Sequence, residues 1–168
     1  MRDRIKELES DGTLTRYSPR SRHSAKRRLF LAPEARKKFD DPQSAVNFFG
    51  QGYIAGAFTK WVLGERVYSY SKKGGFIKRL DEPPPEVWEI RITEPIVQCR
   101  AFGRFAEPDT LIITDMHTRT HLGKRGSANW TAAIAACVKS WEEHFSFPPF
   151  AGIVVGDYIT ENCDAFEI

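Results

Sequence analysis

Hydrophobic and polar residues follow two different periods along this chain. In segments Val87–Ile92, 98–106 and 110–121 they alternate with a period of two, which is typical of strands with two distinct faces. From residue 127 to residue 145 the apolar side chains recur every three or four positions, which indicates an amphipathic helix. The pattern therefore predicts two or three strands that run into one helix.

The helix predicted over 127–145 carries a continuous apolar stripe. Its first residue, Ser127, is a suitable N-cap because the hydroxyl can accept a hydrogen bond from a free backbone N–H. A stripe of this width has to be buried, and the predicted sheet is the simplest partner. The stripe consists of Trp130, Ala133, Ile134, Cys137, Val138, Trp141 and Phe145.

The first half of the chain predicts three helices and a short strand. A polar helix over 2–10 is followed by a strand over 29–32 and by a helix that begins at Pro33, a residue that suits the first helical position. Another helix is expected from Asp41, as its cap, to Trp61, because apolar residues recur at helical spacing between them.

This order of elements predicts an α+β fold, in which a small, mostly antiparallel sheet is packed by N-terminal helices and by one C-terminal amphipathic helix. We divide the chain into a basic, mobile N-terminal segment (1–28), one α+β domain (29–145) and an acidic C-terminal extension (146–168). Within the extension, residues 152–159 predict one added strand, and the acidic residues after it are expected to be frayed.

Length and composition are those of a single globular domain. The chain has 168 residues, of which 41% are hydrophobic, and its four tryptophans and twelve phenylalanines are enough for a core. Cys99, Cys137 and Cys163 are widely spaced and odd in number, which argues against a disulfide framework or a zinc knuckle and favours a reducing cytoplasm. Since no apolar run approaches the ~20 residues that span a bilayer, we expect no membrane segment.

Charge is distributed unevenly along the chain. Residues 1–38 carry 12 lysines and arginines against 5 acidic residues, residues 39–125 carry 12 against 11, and residues 126–168 carry 1 against 6. A basic N-terminal segment can contact nucleic acid, and it can equally be a solvated arm.

Cations and imidazoles are concentrated on the predicted strands and just after them. In strand 110–121, Leu111, Ile113, Asp115, His117 and the residues that follow share one parity, so one face is expected to pass from core to an ionisable site. A cluster of cations on a small sheet suits a polyanion, and RNA is the first candidate. The cluster comprises Arg91, Arg100, Arg104, His117, Arg119, His121, Lys124 and Arg125.

Short motifs on these strands are similar to those of a known superfamily. They are the "K-x-L" triplet at Lys78-Arg79-Leu80, the "hydrophobic-E-[LI]-R" strand at Trp88-Glu89-Ile90-Arg91, the "R-x-hydrophobic" strand at Arg100-Ala101-Phe102, and a basic segment over 117–124 before the helix. By these motifs the chain resembles the RelE/ParE/HigB superfamily of toxins from bacterial toxin–antitoxin pairs. The resemblance covers roughly 43–145, and its motifs are short and degenerate. Residues before Leu29 and after Phe145 have no counterpart.

The resemblance implies a RelE-like fold and an mRNA endoribonuclease, ribosome-associated in some relatives, with an antitoxin protein as partner. In that reaction the 2′-hydroxyl attacks its own phosphodiester, which requires a base, an acid and fixed positive charge. We expect His117 and His121 to transfer protons and Arg91, Arg100 and Arg119 to hold the phosphate, without a metal or other cofactor. Lys124 and Arg125 are expected to position the RNA backbone, and the remaining cations expected to bind RNA are Lys78, Arg79 and Arg104.

Several alternatives stay open on the sequence alone. Arg91 can simply pair with Glu89, Arg104 can pair with a nearby carboxylate, and Asp115 with the two histidines can hold a metal, although this spacing matches no strong motif. The alternative function is a non-catalytic protein-binding module on the same scaffold, either gyrase inhibitor-like or antitoxin- or partner-binding. A homodimer is also left open.

Overall fold

The computed structural model describes residues 1–47, 51–70, 75–80, 85–94 and 98–166. Within these ranges, helices and strands form one α+β unit. The helices are α1 (Arg2–Ser10), α2 (Pro33–Asp40), α3 (Gln51–Val62), α4 (Arg119–Leu122), α5 (Ala128–His144) and α6 (Val155–Tyr158). The strands are β1 (Thr15–Arg16), β2 (Arg28–Leu31), β3 (Val67–Tyr70), β4 (Ile77–Leu80), β5 (Val87–Ile92), β6 (Cys99–Glu107), β7 (Thr110–Thr118) and β8 (Cys163–Phe166).

The eight strands of the described residues belong to one sheet, in the order β1-β2-β7-β6-β5-β4-β3-β8. The central ladder from β4 to β7 is antiparallel, as is the pair of β1 with β2. Parallel pairing occurs between β2 and β7 and on both sides of β3. The predicted α+β class with a mostly antiparallel sheet is therefore confirmed.

The two faces of the sheet are covered by different helices. On one face Phe58 and Trp61 of α3 pack with Trp88 and Phe105 of the sheet. On the other face α5 packs on Phe102 and on further strand residues. The central strands are thus buried on both sides.

The C-terminal helix closely matches its prediction. α5 spans Ala128–His144, and the Ser127 hydroxyl accepts a hydrogen bond from the backbone N–H of Trp130 (3.3 Å), as expected of the N-cap. The predicted stripe is the packed face: Trp130, Ala133, Cys137, Trp141 and Phe145 are buried, and Ile134 and Val138 are partly buried against the same core.

A β-bulge interrupts the ladder between β6 and β7. Phe102 pairs with Asp115, whereas the next residue, Gly103, pairs with Ile113, so Thr114 is an extra residue in β7. The hydroxyl of Thr114 donates a hydrogen bond to the carbonyl oxygen of Phe102 (3.2 Å). An extra residue reverses the face on which the following side chains lie.

The bulge corrects the face expected for the third predicted strand. Leu111 and Ile113 lie in the core that includes α3, whereas His117 pairs with Arg100 on the face covered by α5. The expectation of one continuous face from Leu111 to His121 is therefore wrong. The strand also ends at Thr118, three residues earlier than predicted, because α4 begins at the next residue.

The helix predicted from Asp41 to Trp61 begins later than expected. α3 starts at Gln51, residues 41–47 form turns, and residues 48–50 lie outside the described residues. Polar side chains stabilise these turns: the Asp41 carboxylate accepts a hydrogen bond from the backbone N–H of Gln43 (2.8 Å), and the Asn47 amide donates to the carbonyl of Asp41 (2.9 Å).

Both ends of the chain contribute to the packed unit. α1 buries Ile5 and Leu8 against Trp141, although residues 1–28 are predicted to be mobile. The strand predicted over 152–159 is wrong, because Val155–Tyr158 forms the helical turn α6, capped where the Asp157 carboxylate accepts backbone N–H groups. Within the end expected to fray, Cys163–Phe166 instead forms β8, which pairs with β3, and residues 167–168 lie outside the described residues. No helix in the described part of the chain is long and apolar enough to cross a membrane.

Candidate functional site

A pocket of about 350 Å³ lies on the face of the sheet covered by α5, beside the N-terminal end of that helix. Among its lining residues, five are cationic and one is acidic, which makes it a strongly positive site. We call it the basic pocket. It is lined by Lys78, Leu80, Glu89, Arg91, Arg100, Arg119, Arg125 and Trp130.

A row across the central strands brings the charged side chains together. Lys78 of β4 pairs with Glu89 of β5, and Arg91 of β5 pairs with Arg100 of β6. Side chains directly opposite in an antiparallel ladder have Cβ atoms about 4.5–5.5 Å apart, so these four converge on one patch. The alternation of the sequence places Glu89 and Arg91 on one face, as the structure confirms.

Glu89 is the centre of this patch and is only 3% exposed. Its Oε2 lies 3.4 Å from Nε of Arg100, and its Oε1 lies 3.7 Å from Nε of Arg91. Within the described part of the protein, neither Glu89 Oε2 nor Arg91 Nε has a hydrogen-bond partner. Burial raises the pKa of Glu89 above its ordinary value, and the nearby arginines oppose this shift only in part.

Arg100 is held inside the protein rather than directed at solvent. Its guanidinium donates hydrogen bonds to the carbonyl of Cys99 (2.9 Å) and to Oε1 of Gln98 (3.2 Å). Burial lowers the pKa of Arg100, and Glu89 counteracts this effect. Arg100 therefore fixes the position and the charge of Glu89, whereas the other cations of the pocket are closer to an incoming ligand.

The short helix α4 is fixed at both ends. At its N-terminus the Thr118 hydroxyl accepts a hydrogen bond from the backbone N–H of His121 (3.2 Å), and at its C-terminus Gly123 has a φ of +68°, which favours glycine. The side-chain amide of Asn129 donates to the carbonyl of His121 (2.8 Å). The helix thereby directs Arg119 into the basic pocket, where its guanidinium lies over the ring of Trp130.

A second pocket, of about 230 Å³, is lined by residues of β7 and α4 and by residues of the segment 38–46. The rings of His117 and His121 are nearly parallel there, with an interplanar angle of 10° and centroids 5.9 Å apart. His117, which lines this pocket, is the cross-strand partner of Arg100, which lines the basic pocket. We call it the histidine pocket. It is also lined by Lys38, Ser44, Ala45, Val46, Met116 and Thr118.

Asp115 positions two side chains of the histidine pocket. Its Oδ2 lies 3.1 Å from Nε2 of His117, and its Oδ1 accepts a hydrogen bond from the Lys38 ammonium group (2.6 Å). Burial alone would raise the pKa of Asp115, but the contacts with His117 and Lys38 outweigh burial, so this pKa lies below its ordinary value. Asp115 is therefore a charged carboxylate that offsets the positive charge of Lys38.

The structure brings together seven of the ten predicted site residues. Lys78, Arg91, Arg100, Arg119 and Arg125 line the basic pocket, and His117 and His121 line the histidine pocket. Lys124 is exposed and lines neither pocket.

Arg104 and Arg79 lie outside both pockets. Arg104 is buried, where it donates to the carbonyl of Pro85 and lies over the ring of Trp141. Arg79 lies on the opposite face of β4 from Lys78 and forms an ion pair with Glu86. Both have structural partners within the fold.

Glu89 was absent from the predicted set of site residues. The sequence presents it only as an ion-pair partner of Arg91, and its burial depends on α5, which a strand pattern cannot reveal. The sequence did offer one signal that Glu89 belongs to the site, because it lies on the same strand face as Arg91 within a basic cluster.

Within the described residues, the grouping of side chains does not favour metal binding, and the buried cysteines do not favour thiol chemistry. No group of three or more histidine, cysteine, aspartate or glutamate side chains is close enough there to hold a metal ion. Burial raises the pKa of Cys99 and of Cys137 to about 12, so both thiols are protonated near neutral pH.

Similarity to known proteins adds no family assignment to these observations. Comparisons with protein-family models, with curated proteins and with solved structures found no match to this chain.

Proposed function

We propose that this protein binds RNA in the basic pocket and cleaves it as a toxin-like endoribonuclease of a cytoplasmic toxin–antitoxin pair. The observation that carries the proposal is a buried carboxylate, Glu89, among five cations in a pocket that is open to solvent. A buried charge without hydrogen bonds at one of its oxygens destabilises a fold, and such groups are concentrated at functional sites.

The cations supply the electrostatic part of the reaction. Arg91, Arg119 and Arg125 present guanidinium groups, which bind phosphate oxygens in a bidentate manner, and Lys78 adds a point charge. Positive charge fixed in advance stabilises the phosphorane that forms when the phosphodiester is attacked. Arg100 acts through Glu89 rather than on RNA, since its hydrogen bonds are made within the protein.

Glu89 acts as the general base in this mechanism. The 2′-hydroxyl transfers its proton to the carboxylate, the 2′-oxygen attacks the adjacent phosphorus, and the bond from phosphorus to the 5′-oxygen breaks. The products are a 2′,3′-cyclic phosphate and a 5′-hydroxyl. The raised pKa of Glu89 suits this role, because a base is most effective when its pKa is close to the working pH.

His117 and His121 were expected to transfer protons, and in this scheme the histidine pair supplies the one proton that the leaving 5′-oxygen takes up. Imidazole is the side chain best suited to proton transfer near neutral pH. α4 carries Arg119 into one pocket and His121 into the other, so a nucleotide bound at Arg119 lies next to the histidines. In the proposed scheme, the base, the proton donor and the phosphate-binding groups are all side chains of this protein.

The proposed antitoxin would occupy the same surface. An acidic segment laid across the basic pocket would neutralise its cations and block RNA. A small reading frame adjacent to the gene is the expected source of this partner, and the purified pair should neither bind nor cleave RNA. Ribosome dependence and a RelE-like arrangement of the sheet belong to the same proposal.

The test is the variant Glu89→Gln, which keeps the shape of the side chain but removes its basicity. Cleavage of a labelled single-stranded RNA, with and without ribosomes, should fall about 10²–10⁴-fold, the contribution typical of a general base. Glu89→Gln should bind the same RNA carrying 2′-O-methyl groups, which block cleavage, at least as tightly as the parent does. The reason is that the substitution removes a negative charge from the pocket. Glu143→Gln, an exposed carboxylate on α5, is the matched control.

The outcomes separate the two candidate functions. Parental cleavage by Glu89→Gln would exclude Glu89 as the base. If the parent binds RNA but does not cleave it, with or without ribosomes, the alternative of a non-catalytic binding module on this scaffold would be favoured. Absence of RNA binding by the parent would overturn the proposal altogether.

A further inference from the structure

The histidine pocket differs from the basic pocket in charge and in lining. Ala45, Val46 and Met116 supply apolar surface, and the ammonium group of Lys38 is matched by the carboxylate of Asp115. Because Asp115 stays charged, the pocket is an unfavourable place for a phosphate group. An uncharged, flat part of a ligand fits this environment better than an anion does.

The volume of the histidine pocket and the geometry of its two imidazole rings further restrict the kind of ligand that it can hold. The volume of about 230 Å³ is below the ~300–1,000 Å³ of pockets that hold drug-sized molecules, so it suits a single ring system. His117 and His121 present two nearly parallel imidazole rings at this pocket. Bases of single-stranded RNA commonly stack on histidine and other aromatic rings.

We propose that the histidine pocket is a nucleobase subsite, which holds one base of the RNA whose phosphate lies in the basic pocket. The proposal rests on the proposed function and specifies where the substrate's base binds. Arg100 and His117 are cross-strand partners, and each lines one of the two pockets. A ligand that joins an anionic group to a flat ring by a short sugar can therefore reach both.

The position of His121 makes the subsite accessible. His121 is exposed, while His117 is held beside Asp115, so His121 offers the free ring surface. Ala45 is also exposed on the wall of the pocket. A larger side chain at residue 45 should fill the pocket without disturbing the core.

The experiment measures the Kd of two uncleavable probes at one fixed ionic strength. The first is a 2′-O-methyl trinucleotide, and the second has the same backbone with abasic sugars, so it carries the same phosphates. We expect the parent to bind the first probe about tenfold more tightly, the difference typical of one stacked base. Ala45→Trp and His121→Ala should lose this difference and keep the affinity for the abasic probe.

His121→Phe separates stacking from other roles of the imidazole. Phenylalanine keeps an aromatic face and cannot carry a proton, so the preference for the base-containing probe should persist. Loss of the preference in both His121→Phe and His121→Ala would overturn a stacking subsite. His144→Ala, a histidine near the end of α5 and outside both pockets, is the control.

The other possible outcomes of the binding experiment distinguish failure of the subsite from failure of the proposed function. Equal binding of both probes by the parent, or an unchanged preference in Ala45→Trp, would overturn the subsite and leave the basic pocket in place. Failure of the parent to bind either probe would instead overturn the proposed function.

Discussion

The two faces of β4 carry neighbouring cations in opposite situations. Arg79 is matched by Glu86, which also accepts a hydrogen bond from the hydroxyl of Tyr158 (2.8 Å). Lys78, on the other face, lines a pocket together with four other cations and Glu89. Adjacent positions in the sequence thus serve a structural ion pair and a positive open site.

The comparison teaches that the ratio of charges, rather than the number of cations, distinguishes a binding site from a structural cluster. In a matched buried pair the two charges neutralise each other, so little charge is left to attract a ligand. An excess of like charges in one pocket repels itself and becomes favourable only when an anion is bound. The predictions below test this distinction.

The largest effect on stability is expected at the matched cluster. Arg79→Met should lower the free energy of unfolding by about 3 kcal/mol, because it leaves the buried carboxylate of Glu86 without its cation. The affinity of the folded variant for RNA should equal that of the parent. Urea denaturation and RNA binding measured on the same sample check both statements; loss of RNA affinity with unchanged stability would reverse the roles of the two faces.

The complementary prediction concerns the basic pocket. Replacing Arg119 and Arg125 by Met should weaken RNA binding roughly 100-fold and reduce the slope of log Kd against log salt by about 1–2, since up to two phosphate contacts are lost. The free energy of unfolding should change little, because the two substitutions remove positive charges that repel the other cations of the pocket.

A matched pair of exposed cations serves as control for that double variant. Lys37→Met with Lys139→Met removes the same charge outside both pockets, and we expect a much smaller change in RNA affinity. Equal losses in the two double variants would mean that net charge alone, without a pocket, accounts for binding.

A smaller effect is expected in the pH dependence of stability. The pKa of Asp115 lies below its ordinary value of 3.8, so the charged form stabilises the folded state above pH 3.8 and this contribution is lost as the pH falls through the folded-state pKa. Asp115→Asn should therefore be less stable than the parent by about 1.5–3 kcal/mol at pH 7. Denaturation series at several pH values should show this difference shrinking in acid; a constant difference would contradict the assignment.

Local patterns in the sequence predicted the elements that surround the site. Val87–Ile92 forms a strand with the expected bounds, and the apolar stripe of α5 is the face that packs. Alternation also placed Arg91 and Arg100 on strands whose pairing brings them together. These features depend on side-chain period and capping, which short windows of sequence contain.

Other features depended on tertiary structure and were missed. The bulge at Thr114 reverses the parity of β7, and it occurs where a Cβ atom at Gly103 would collide with the carbonyl oxygen of Ile112. Lys78 and Arg79 lie on opposite faces because side chains alternate along β4, but which of the two faces joins the site follows from the pairing of β4 with β5. The burial of Glu89 requires the covering helix, so its pKa could not be anticipated from the strand alone.

The most direct test of the account is the pH dependence of RNA cleavage by the parent and by Glu89→Gln. If Glu89 is the base, kcat/KM of the parent should rise with pH through a limb whose midpoint lies above 4.5, the ordinary value for glutamate, because burial raises this pKa. In Glu89→Gln the limb should disappear along with most of the rate. A variant that retains both the rate and the limb would contradict the central role of the buried carboxylate in the basic pocket.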